Sequence, residues 1–291
     1  MTVVRSIRRV GVVGAASQVG QALLPRLAAQ GIRVCRIGRE TGLGGAERVH
    51  VYDADRGCFE PPIDAADALV SLAPLPTIGV VLDMARLLGA RRVIAFGSTG
   101  RFSKVGSSSA LELDFVAQQE QAERLFSSRC EAAGVAWTLF RPTMIYGADA
   151  DQSVAFVKAM VGRFGFFPIP WGATGLRQPV HLDDLAAACV SALECERTFG
   201  RAYNLGGGEV LRFPDLVRRI FEAAHRRPML VPVPLTLYYL AVAAASKFAG
   251  AAFVRREMVD RMYQDLVADN QPAREDFDYA PRRFSPTQNA S

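Results

Sequence analysis

The chain has 291 residues, of which 50% are hydrophobic and 22% are charged, and its formal net charge is +5. This composition excludes a disordered or fibrous protein and predicts one large globular domain, alone or with a smaller partner. The basic residues are almost all arginine and are spread along the chain, so the charge gives no argument for nucleic-acid binding.

Short apolar runs alternate with amphipathic runs through the first half of the chain. The apolar runs predict strands at 10–13, 32–37, 49–52, 68–72, 92–96 and 137–140, and the amphipathic spacing predicts helices at 19–30, 78–88 and 111–133. Alternating strands and helices form parallel sheets with helices on both faces. The sequence therefore predicts an α/β protein with a Rossmann, doubly wound parallel sheet.

The composition changes beyond residue 150. A loop-like stretch rich in Gly, Pro and aromatic residues at 164–175 is followed by a helix that begins at Asp183 or Asp184 and by a strand at 203–205. We assign residues 1–150 and 180–207 to the Rossmann domain, and residues 151–179 and 208–291 to a smaller, mostly helical C-terminal lobe.

Residues 235–254 form an apolar stretch that is interrupted only by Thr236, Ser246 and Lys247. Its length is sufficient to span a bilayer. The internal lysine and the many small alanines favour a buried or interface helix instead. A contact of this stretch with a membrane surface, or with a protein partner, stays open.

A glycine-rich turn stands between the first predicted strand and the first predicted helix. Gly14 allows the tight turn, Gly20 lets the helix approach the strand, and Ser17 stands where a third glycine is common. The first amides of a helix are unpaired and attract anions such as a pyrophosphate. The pattern predicts a dinucleotide-binding turn, made by Gly11, Gly14, Ser17, Gln18, Val19 and Gly20.

The residues after the second strand bear on the choice of cofactor. A site that prefers NAD usually places an acidic residue there for the ribose 2′-hydroxyl, but this chain has Arg36 and Arg39. Both arginines suit a 2′-phosphate, so NADP(H) is favoured over NAD(H). The alternative is that one or both are ordinary surface arginines. Asp53, after the third strand, is predicted to meet the adenine, and Ala73, after the fourth, to lie near the middle of the cofactor.

Five ordered segments resemble the extended or atypical short-chain dehydrogenases/reductases of the NAD-dependent epimerase/dehydratase family. They are the glycine turn, VIAFGST at 93–99, RPTMIYG at 141–147, PVHLDDL at 179–185 and YNLGG at 203–207. The resemblance covers nearly the whole chain and implies hydride transfer between a nicotinamide and a carbinol or carbonyl carbon. It also implies a cofactor contact at Pro142, contacts to a substrate hydroxyl at Ser98 or Thr99, and a homodimer through the helix at 111–133.

Members of this family use a tyrosine as acid and base, with a lysine four residues later. The lysine is needed because a free phenol titrates near about 10, and a neighbouring cation lowers its pKa. Phe115 and Gln119 stand at these two positions here, and no tyrosine occurs between Tyr52 and Tyr146. The usual acid and base are therefore missing.

Other groups must carry any proton transfer, and we take Thr99 and Tyr146 as the candidate catalytic residues. Lys104, in the loop after the fifth strand, is a further candidate, as are Glu112 and Asp114 at the start of the long helix. For Tyr146, a role as an aromatic residue packed beside the cofactor pocket is favoured over a catalytic role. Acidic residues in the first turn of a helix commonly serve the helix itself.

Two residues near position 180 concern the substrate. Arg177 stands where nucleotide-sugar epimerases that resemble this chain hold the substrate diphosphate, a task that suits its fork of donors. It can equally be a loop arginine in an arginine-rich protein. His181 lies three residues before Asp184 and is expected to order the loop and the following helix rather than to act as a base.

The five cysteines, Cys35, Cys58, Cys130, Cys189 and Cys195, are scattered and include no CxxC pair. They predict reduced thiols, with neither a disulfide framework nor a metal site. The first residues lack the apolar segment of a signal peptide, which predicts a cytoplasmic protein, in contact with a membrane only if the stretch at 235–254 makes one.

Two functions remain. The first is an NADP(H)-binding oxidoreductase or epimerase-like enzyme that acts on a nucleotide sugar or on another small carbonyl or carbinol substrate. The second is a non-catalytic NADP(H)-binding accessory or sensor protein, like the nucleotide-binding accessory subunit of respiratory complex I. Loss of the tyrosine and lysine favours the second function, and retention of Thr99, Tyr146 and Arg177 favours the first.

Overall fold

The computed structural model describes residues 6–38, 49–60, 62–147, 152–245 and 256–286. Its strands are β1 (Arg9–Val13), β2 (Arg33–Ile37), β3 (Val49–Asp53), β4 (Cys58–Glu60), β5 (Ala68–Ser71), β6 (Arg92–Phe96), β7 (Ala136–Pro142), β8 (Ile145–Tyr146), β9 (Phe167–Pro170), β10 (Leu176–Arg177), β11 (Val180–His181), β12 (Arg201–Leu205), β13 (Leu211–Arg212) and β14 (Leu230–Val233). Its helices are α1 (Gln18–Ala29), α2 (Ile78–Leu87), α3 (Gly100–Ser103), α4 (Ala110–Ala132), α5 (Gln152–Phe164), α6 (Leu182–Leu193), α7 (Phe213–Ala223), α8 (Leu235–Ala245), α9 (Arg256–Arg261) and α10 (Gln271–Phe277).

Eight strands form one sheet in the order β12-β7-β6-β5-β1-β2-β3-β4. Neighbouring strands are parallel, except that β3 and β4 form an antiparallel hairpin at the edge. The strand order reverses between β1 and β5, and ligands of open α/β sheets bind in the crevice outside the carboxyl ends at such a point. The predicted Rossmann sheet is confirmed, and β4 is an addition that its short, mixed sequence did not indicate.

Each face of the sheet carries its own hydrophobic core. Helices α1, α6 and α10 cover one face, where Leu27 and Cys189 are fully buried. Helices α2 and α4 cover the other face, where Phe126 is fully buried. The valine-rich strands have apolar side chains on both faces because helices cover both.

A third core belongs to the C-terminal lobe and includes Val161, Phe167 and Phe221. Helix α10 does not pack into this core. Phe277 of α10 instead contacts the ring of Tyr203 on β12, with the ring centres 5.2 Å apart. Helix α10 therefore packs on the large sheet, a long-range contact that the local composition did not indicate.

Helix α8 contains the first eleven residues of the apolar stretch, and residues 246–254 lie outside the described part. Tyr238 and Val242 are buried, whereas Leu237 and Leu240 are exposed. Among the residues that the structure describes, no helix is both long and apolar enough to cross a membrane.

Candidate active site

The glycine turn follows β1 at the carboxyl edge of the sheet. Gly14 has a φ of +76°, and its amide donates to the carbonyl oxygen of Ile37 at 3.0 Å. A Cβ atom on Gly20 would lie 2.5 Å from the carbonyl oxygen of Ala15, so no side chain fits there. The turn therefore brings the N-terminus of α1 close to the carboxyl end of β1, a geometry that fits the pyrophosphate of a dinucleotide.

Ser17 has a second task within this turn. Its Oγ accepts from the amide of Gly20 at 3.1 Å, which makes it the N-cap of α1. The amides of Gln18 and Val19 lie in the first turn of the helix, where no intrahelical acceptor exists. Gly11 differs from the expectation, since it lies in the middle of β1 and a Cβ there would meet the Leu69 side chain at 2.7 Å.

The remaining cofactor candidates are spread along the same edge. Arg36 is half-buried and pairs with Val12 of β1, and Arg39 lies outside the described residues. The amide of Ala73 would lie 3.5 Å from a Cβ on Gly14, so Ala73 adjoins the turn. The carboxylate of Asp53 accepts from the amides of the turn that follows, at 3.0 and 3.1 Å, and so is engaged in its own hairpin.

A cavity of about 530 Å³ lies between the carboxyl ends of β6, β7 and β12 and the C-terminal lobe. Strand β6 is two strands from β1, which places the cavity roughly 10 Å from the glycine turn. An extended dinucleotide can therefore bind the turn and reach the cavity. The polar residues of its lining include Ser98, Thr99, Lys104, Arg177, Asn204, Arg261 and Asp265.

The two hydroxyl residues after β6 differ in what they can offer a ligand. Thr99 Oγ1 donates to the carbonyl oxygen of Pro142 at 3.1 Å, and the Thr99 amide donates to the same oxygen. Ser98 Oγ accepts from the amide of Gly100 at 3.0 Å, which leaves its own proton for another acceptor. Ser98 is therefore the better donor to a substrate oxygen, and Thr99 and Pro142 fasten β6 to β7.

Tyr146 does not reach the cavity, contrary to its selection as a catalytic candidate. The residue is 2% exposed, and its hydroxyl donates to the Arg283 carbonyl and accepts from the Ser285 amide, both at 3.3 Å. Burial raises the pKa of this phenol. Its ring packs edge-on against His181 and Phe284, so Tyr146 anchors the C-terminal segment.

His181 orders the start of α6, as the sequence predicted. Its Nδ1 accepts from the amide of Asp183 at 3.1 Å, so the ring replaces a usual N-cap side chain. Burial lowers the pKa of His181, with the nearby Arg282 acting in the same direction.

Phe115 and Gln119 occupy α4 beside the cavity without lining it. The ammonium of Lys104 lies 4.3 Å from the centre of the Phe115 ring. Gln119 is 5% exposed and lies beside Gly97, and its Oε1 has no hydrogen-bond partner among the described residues. A ligand hydroxyl that reached Gly97 would supply the missing donor.

Beneath them lies an ion cluster that the sequence reasoning missed. Buried Glu123 accepts from Arg141 Nε at 2.9 Å and Nη2 at 2.7 Å, and also from Arg101. Arg141 belongs to the RPTMIYG segment at 141–147, which is the signal that was available. The cluster fastens α4 to β7, a charge-assisted and bidentate contact.

Lys104 is the titratable candidate that the structure places in the cavity wall. Its Nζ lies 3.5 Å from Glu112 Oε1, and Glu112 also pairs with Arg261. Burial alone would raise the pKa of Glu112, but the Ser107 hydrogen bond and these two cations outweigh it and lower that pKa. Asp114 instead accepts from Gln118 on the exposed side of α4.

Arg177 lines the cavity but uses most of its donors within the protein. Nη1 donates to the carbonyls of Leu176 and Gln264 at 2.7 and 2.8 Å, and Nη2 donates to the Arg261 carbonyl at 2.6 Å. Burial lowers the pKa of Arg177 to about 10, and Arg261 acts in the same direction. The residue holds β10 to the turn after α9 and brings a buried charge to the site.

No thiol pairing or metal cluster accompanies this site within the described ranges. All five cysteines are free there, and no group of three or more histidine, cysteine or acidic side chains is arranged to hold a metal ion.

No protein-family model matches the chain. Among curated proteins, it is 27% identical over 158 residues to a mitochondrial NADH dehydrogenase [ubiquinone] 1 alpha subcomplex subunit 9 of Arabidopsis thaliana, a match that covers 50% of this chain and 39% of the relative. The chain thus spans less than half the length of that relative. It is 29% identical over 230 residues to a 3-diazoavenalumate denitrifying reductase of a Streptomyces species, which covers 65% of this chain and 73% of the relative.

Solved structures match over nearly the whole chain. A UDP-glucose 4-epimerase of Thermotoga maritima, solved with UDP-glucose, has a TM-score of 0.66 at 16% identity and covers 94% of this chain and 93% of its own. A UDP-glucose 4-epimerase of Thermus thermophilus, solved with NAD, has a TM-score of 0.57 at 18% identity and covers 87% and 98%. The chain therefore has the fold of the NAD-dependent epimerase/dehydratase proteins, the extended short-chain dehydrogenases/reductases, as its motifs predicted.

Proposed function

We propose that the chain is an NADP(H)-dependent oxidoreductase or epimerase-like enzyme whose small carbonyl or carbinol substrate binds in the cavity. The observation that carries this proposal is the cavity itself. It opens at the carboxyl ends of β6 and β7, it is not lined by Phe115, and Lys104 stands on its wall. A pocket with a titratable group at this place is what an enzyme of this fold needs.

The cofactor is proposed from the glycine turn and from the second strand. The turn fits a pyrophosphate, and Arg36 and Arg39 replace the acid that NAD-preferring sites carry after β2. A relative of the same fold was solved with NAD, so the dinucleotide class has support beyond the sequence. When bound, the nicotinamide would supply or accept the hydride.

Lys104 is the group we assign to proton transfer. Reduction of a carbonyl adds a hydride to carbon and a proton to oxygen, and the Lys104 ammonium supplies that proton and regains one from solvent. The pairing with Glu112 and the face of Phe115 fix the direction of its side chain. Ser98 Oγ donates to the same substrate oxygen and orients it.

The first experiment is a fluorescence titration of the cofactor-free protein with NADPH and NADH, followed by a thermal-shift screen of carbonyl compounds and nucleotide sugars with the tighter cofactor. UDP-glucose belongs in this screen because an epimerase of this fold was solved with it. We expect saturable NADPH binding and at least one compound that adds stability and oxidises NADPH.

Lys104→Gln then tests the assigned proton donor. It should lower kcat at least ~10²-fold and leave the Kd for NADPH unchanged, whereas Arg124→Gln, on the exposed face of α4, should change neither. An unchanged kcat in Lys104→Gln would remove Lys104 from the mechanism.

A second candidate is a non-catalytic NADP(H)-binding accessory or sensor protein. The replacements Phe115 and Gln119 favour it, as does the similarity, over half of the chain, to the mitochondrial NADH dehydrogenase subunit of Arabidopsis thaliana. Tight NADPH binding without turnover of any compound in the screen would select this candidate.

A further inference from the structure

The C-terminal lobe contributes a group of apolar side chains to the cavity lining, next to its charged residues Arg177, Arg261 and Asp265. The apolar residues Phe156, Val157, Phe167, Phe213, Met258 and Met262 are here called the apolar wall. Four of them, Val157, Phe167, Phe213 and Met262, also belong to the hydrophobic core of the lobe, so packing holds the wall in place. A sugar set against these side chains would lose water from its hydroxyls without gaining a hydrogen-bond partner.

Three rings of the wall contact one another edge to face. Phe156 and Phe167 have their ring centres 6.4 Å apart at 78°, and Phe167 and Phe213 have theirs 6.2 Å apart at 62°. Ring edges carry partial positive charge and ring faces partial negative charge, so a further aromatic ring extends such a chain favourably. The methionine sulfurs also favour aromatic neighbours. The wall thus suits a flat, unsaturated body.

Three cations, Lys104, Arg177 and Arg261, and one carboxylate, that of Asp265, line the same cavity. Lys104 and Arg261 share Glu112. Arg177, which is 5% exposed, has no carboxylate within ion-pair distance among the described residues, and main-chain carbonyls accept the hydrogen bonds of its Nη1 and Nη2. Its guanidinium carbon lies 5.4 Å from the centre of the Phe213 ring, so the charge adjoins the apolar wall. A buried cation of this kind gains from an anionic ligand.

We propose that the ligand of this cavity is a small amphipathic anion, with an aromatic or conjugated body against the apolar wall and a carboxylate beside Arg177 and Arg261. The inference rests on the proposed function, because it names the substrate class of the same cavity. Nucleotide sugars are expected to bind this cavity less well than such an anion, because their polar hexose would lie against the apolar wall.

Isothermal titration of the full chain, with and without NADPH, tests the two chemical features separately. The probes are cinnamate, its neutral counterpart cinnamamide, UDP-glucose and UDP. We expect cinnamate to bind at least ~10-fold more tightly than cinnamamide, which is ~1.4 kcal/mol. UDP-glucose should bind no more tightly than UDP. Equal affinities for cinnamate and cinnamamide, or tighter binding of UDP-glucose than of both UDP and cinnamate, overturn the proposal.

Variants assign the binding to the residues named. Arg261→Gln should reduce the preference for cinnamate over cinnamamide several-fold, whereas Arg218→Gln, an exposed cation on α7, should leave it unchanged. Val157→Phe should fill the part of the cavity next to the apolar wall. It should therefore abolish cinnamate binding, while the Kd for NADPH stays the same. If Val157→Phe does not fold, the comparison of Arg261→Gln with Arg218→Gln decides the matter.

Failure of this inference differs from failure of the proposed function. One outcome is that the protein binds NADPH and turns over UDP-glucose but does not bind cinnamate at millimolar concentration. That outcome overturns the proposed substrate class and is consistent with the proposed enzymatic function. The opposite outcome is that the protein binds cinnamate with the expected charge preference but does not bind NADPH. That outcome supports the proposed substrate class and contradicts the proposed NADP(H)-dependent reaction.

Discussion

Substitution of Gly20 by alanine tests whether the close approach of α1 to the glycine turn holds the cofactor site in place. The new Cβ would lie 2.5 Å from the Ala15 carbonyl oxygen and 2.8 Å from its carbon. Ala15 belongs to a turn closed by the hydrogen bond from the Ser17 amide to the Gly14 oxygen, at 2.9 Å, and cannot swing aside. The helix and the turn must therefore separate by roughly 1 Å to restore ordinary van der Waals contact.

The free energy of unfolding follows from two opposing effects. Overpacking of this kind costs about 1–3 kcal/mol, and replacement of a helical glycine by alanine recovers up to about 1 kcal/mol. Gly79→Ala is the matched control, because Gly79 also lies in the first turn of a helix and its Cβ would meet nothing nearer than Leu125 at 3.9 Å. We expect Gly20→Ala to be less stable than Gly79→Ala by about 1–3 kcal/mol.

The same displacement should weaken the binding of the cofactor. A shift of roughly 1 Å breaks at least one hydrogen bond from the first amides of α1 to an anionic phosphate, which is worth about 1.5–3 kcal/mol, or roughly 10- to 150-fold in Kd. Urea denaturation followed by tryptophan fluorescence, from Trp137 and Trp171, measures the stability, and titration with NADPH measures the affinity. If Gly20→Ala matches Gly79→Ala in stability and the parent chain in NADPH affinity, the close-approach reasoning is refuted.

Three further predictions concern single residues. Arg39→Ala should weaken the binding of NADPH by about 1–3 kcal/mol and leave the binding of NADH nearly unchanged. Arg33→Ala, at the far end of β2, is the control and should affect the binding of neither cofactor. Equal losses of affinity for both cofactors would contradict a contact between Arg39 and the 2′-phosphate. Tyr146→Phe should keep kcat within about twofold while lowering the free energy of unfolding by about 0.5–1.5 kcal/mol, and a large fall in kcat would return Tyr146 to the mechanism. Glu112 has a lowered pKa in the folded state, so its stabilising effect is present above its unfolded pKa and is lost as pH falls through the folded value. The stability difference between the parent chain and Glu112→Gln should accordingly shrink on acidification, and a constant difference from pH 7 to acid would contradict the ion pairs.

The sequence was sufficient for the alternating strands and helices of the Rossmann sheet because these elements depend on patterns that are local. The predicted helix at 19–30 is α1 at Gln18–Ala29, and the predicted strand at 92–96 is β6. The glycine turn was readable because its backbone geometry restricts the residue type at single positions, as at Gly14 and Gly20. The sequence also shows directly that the usual tyrosine and lysine are absent, because Phe115 and Gln119 stand at their positions.

The tertiary structure decided which candidate side chains have their polar atoms already engaged. Thr99 donates to Pro142, Tyr146 bonds to the segment at 283–285, and Arg177 donates to carbonyls of the segment at 261–264. Each of these partners lies more than 40 residues along the chain from the candidate residue, so no local sequence pattern predicts the hydrogen bond. Placement of Lys104 against Phe115, and of the apolar wall beside the buried Arg177, likewise depends on which distant elements pack together. Local periodicity determines which elements form, but a hydrogen bond or a cavity wall depends on which distant elements meet.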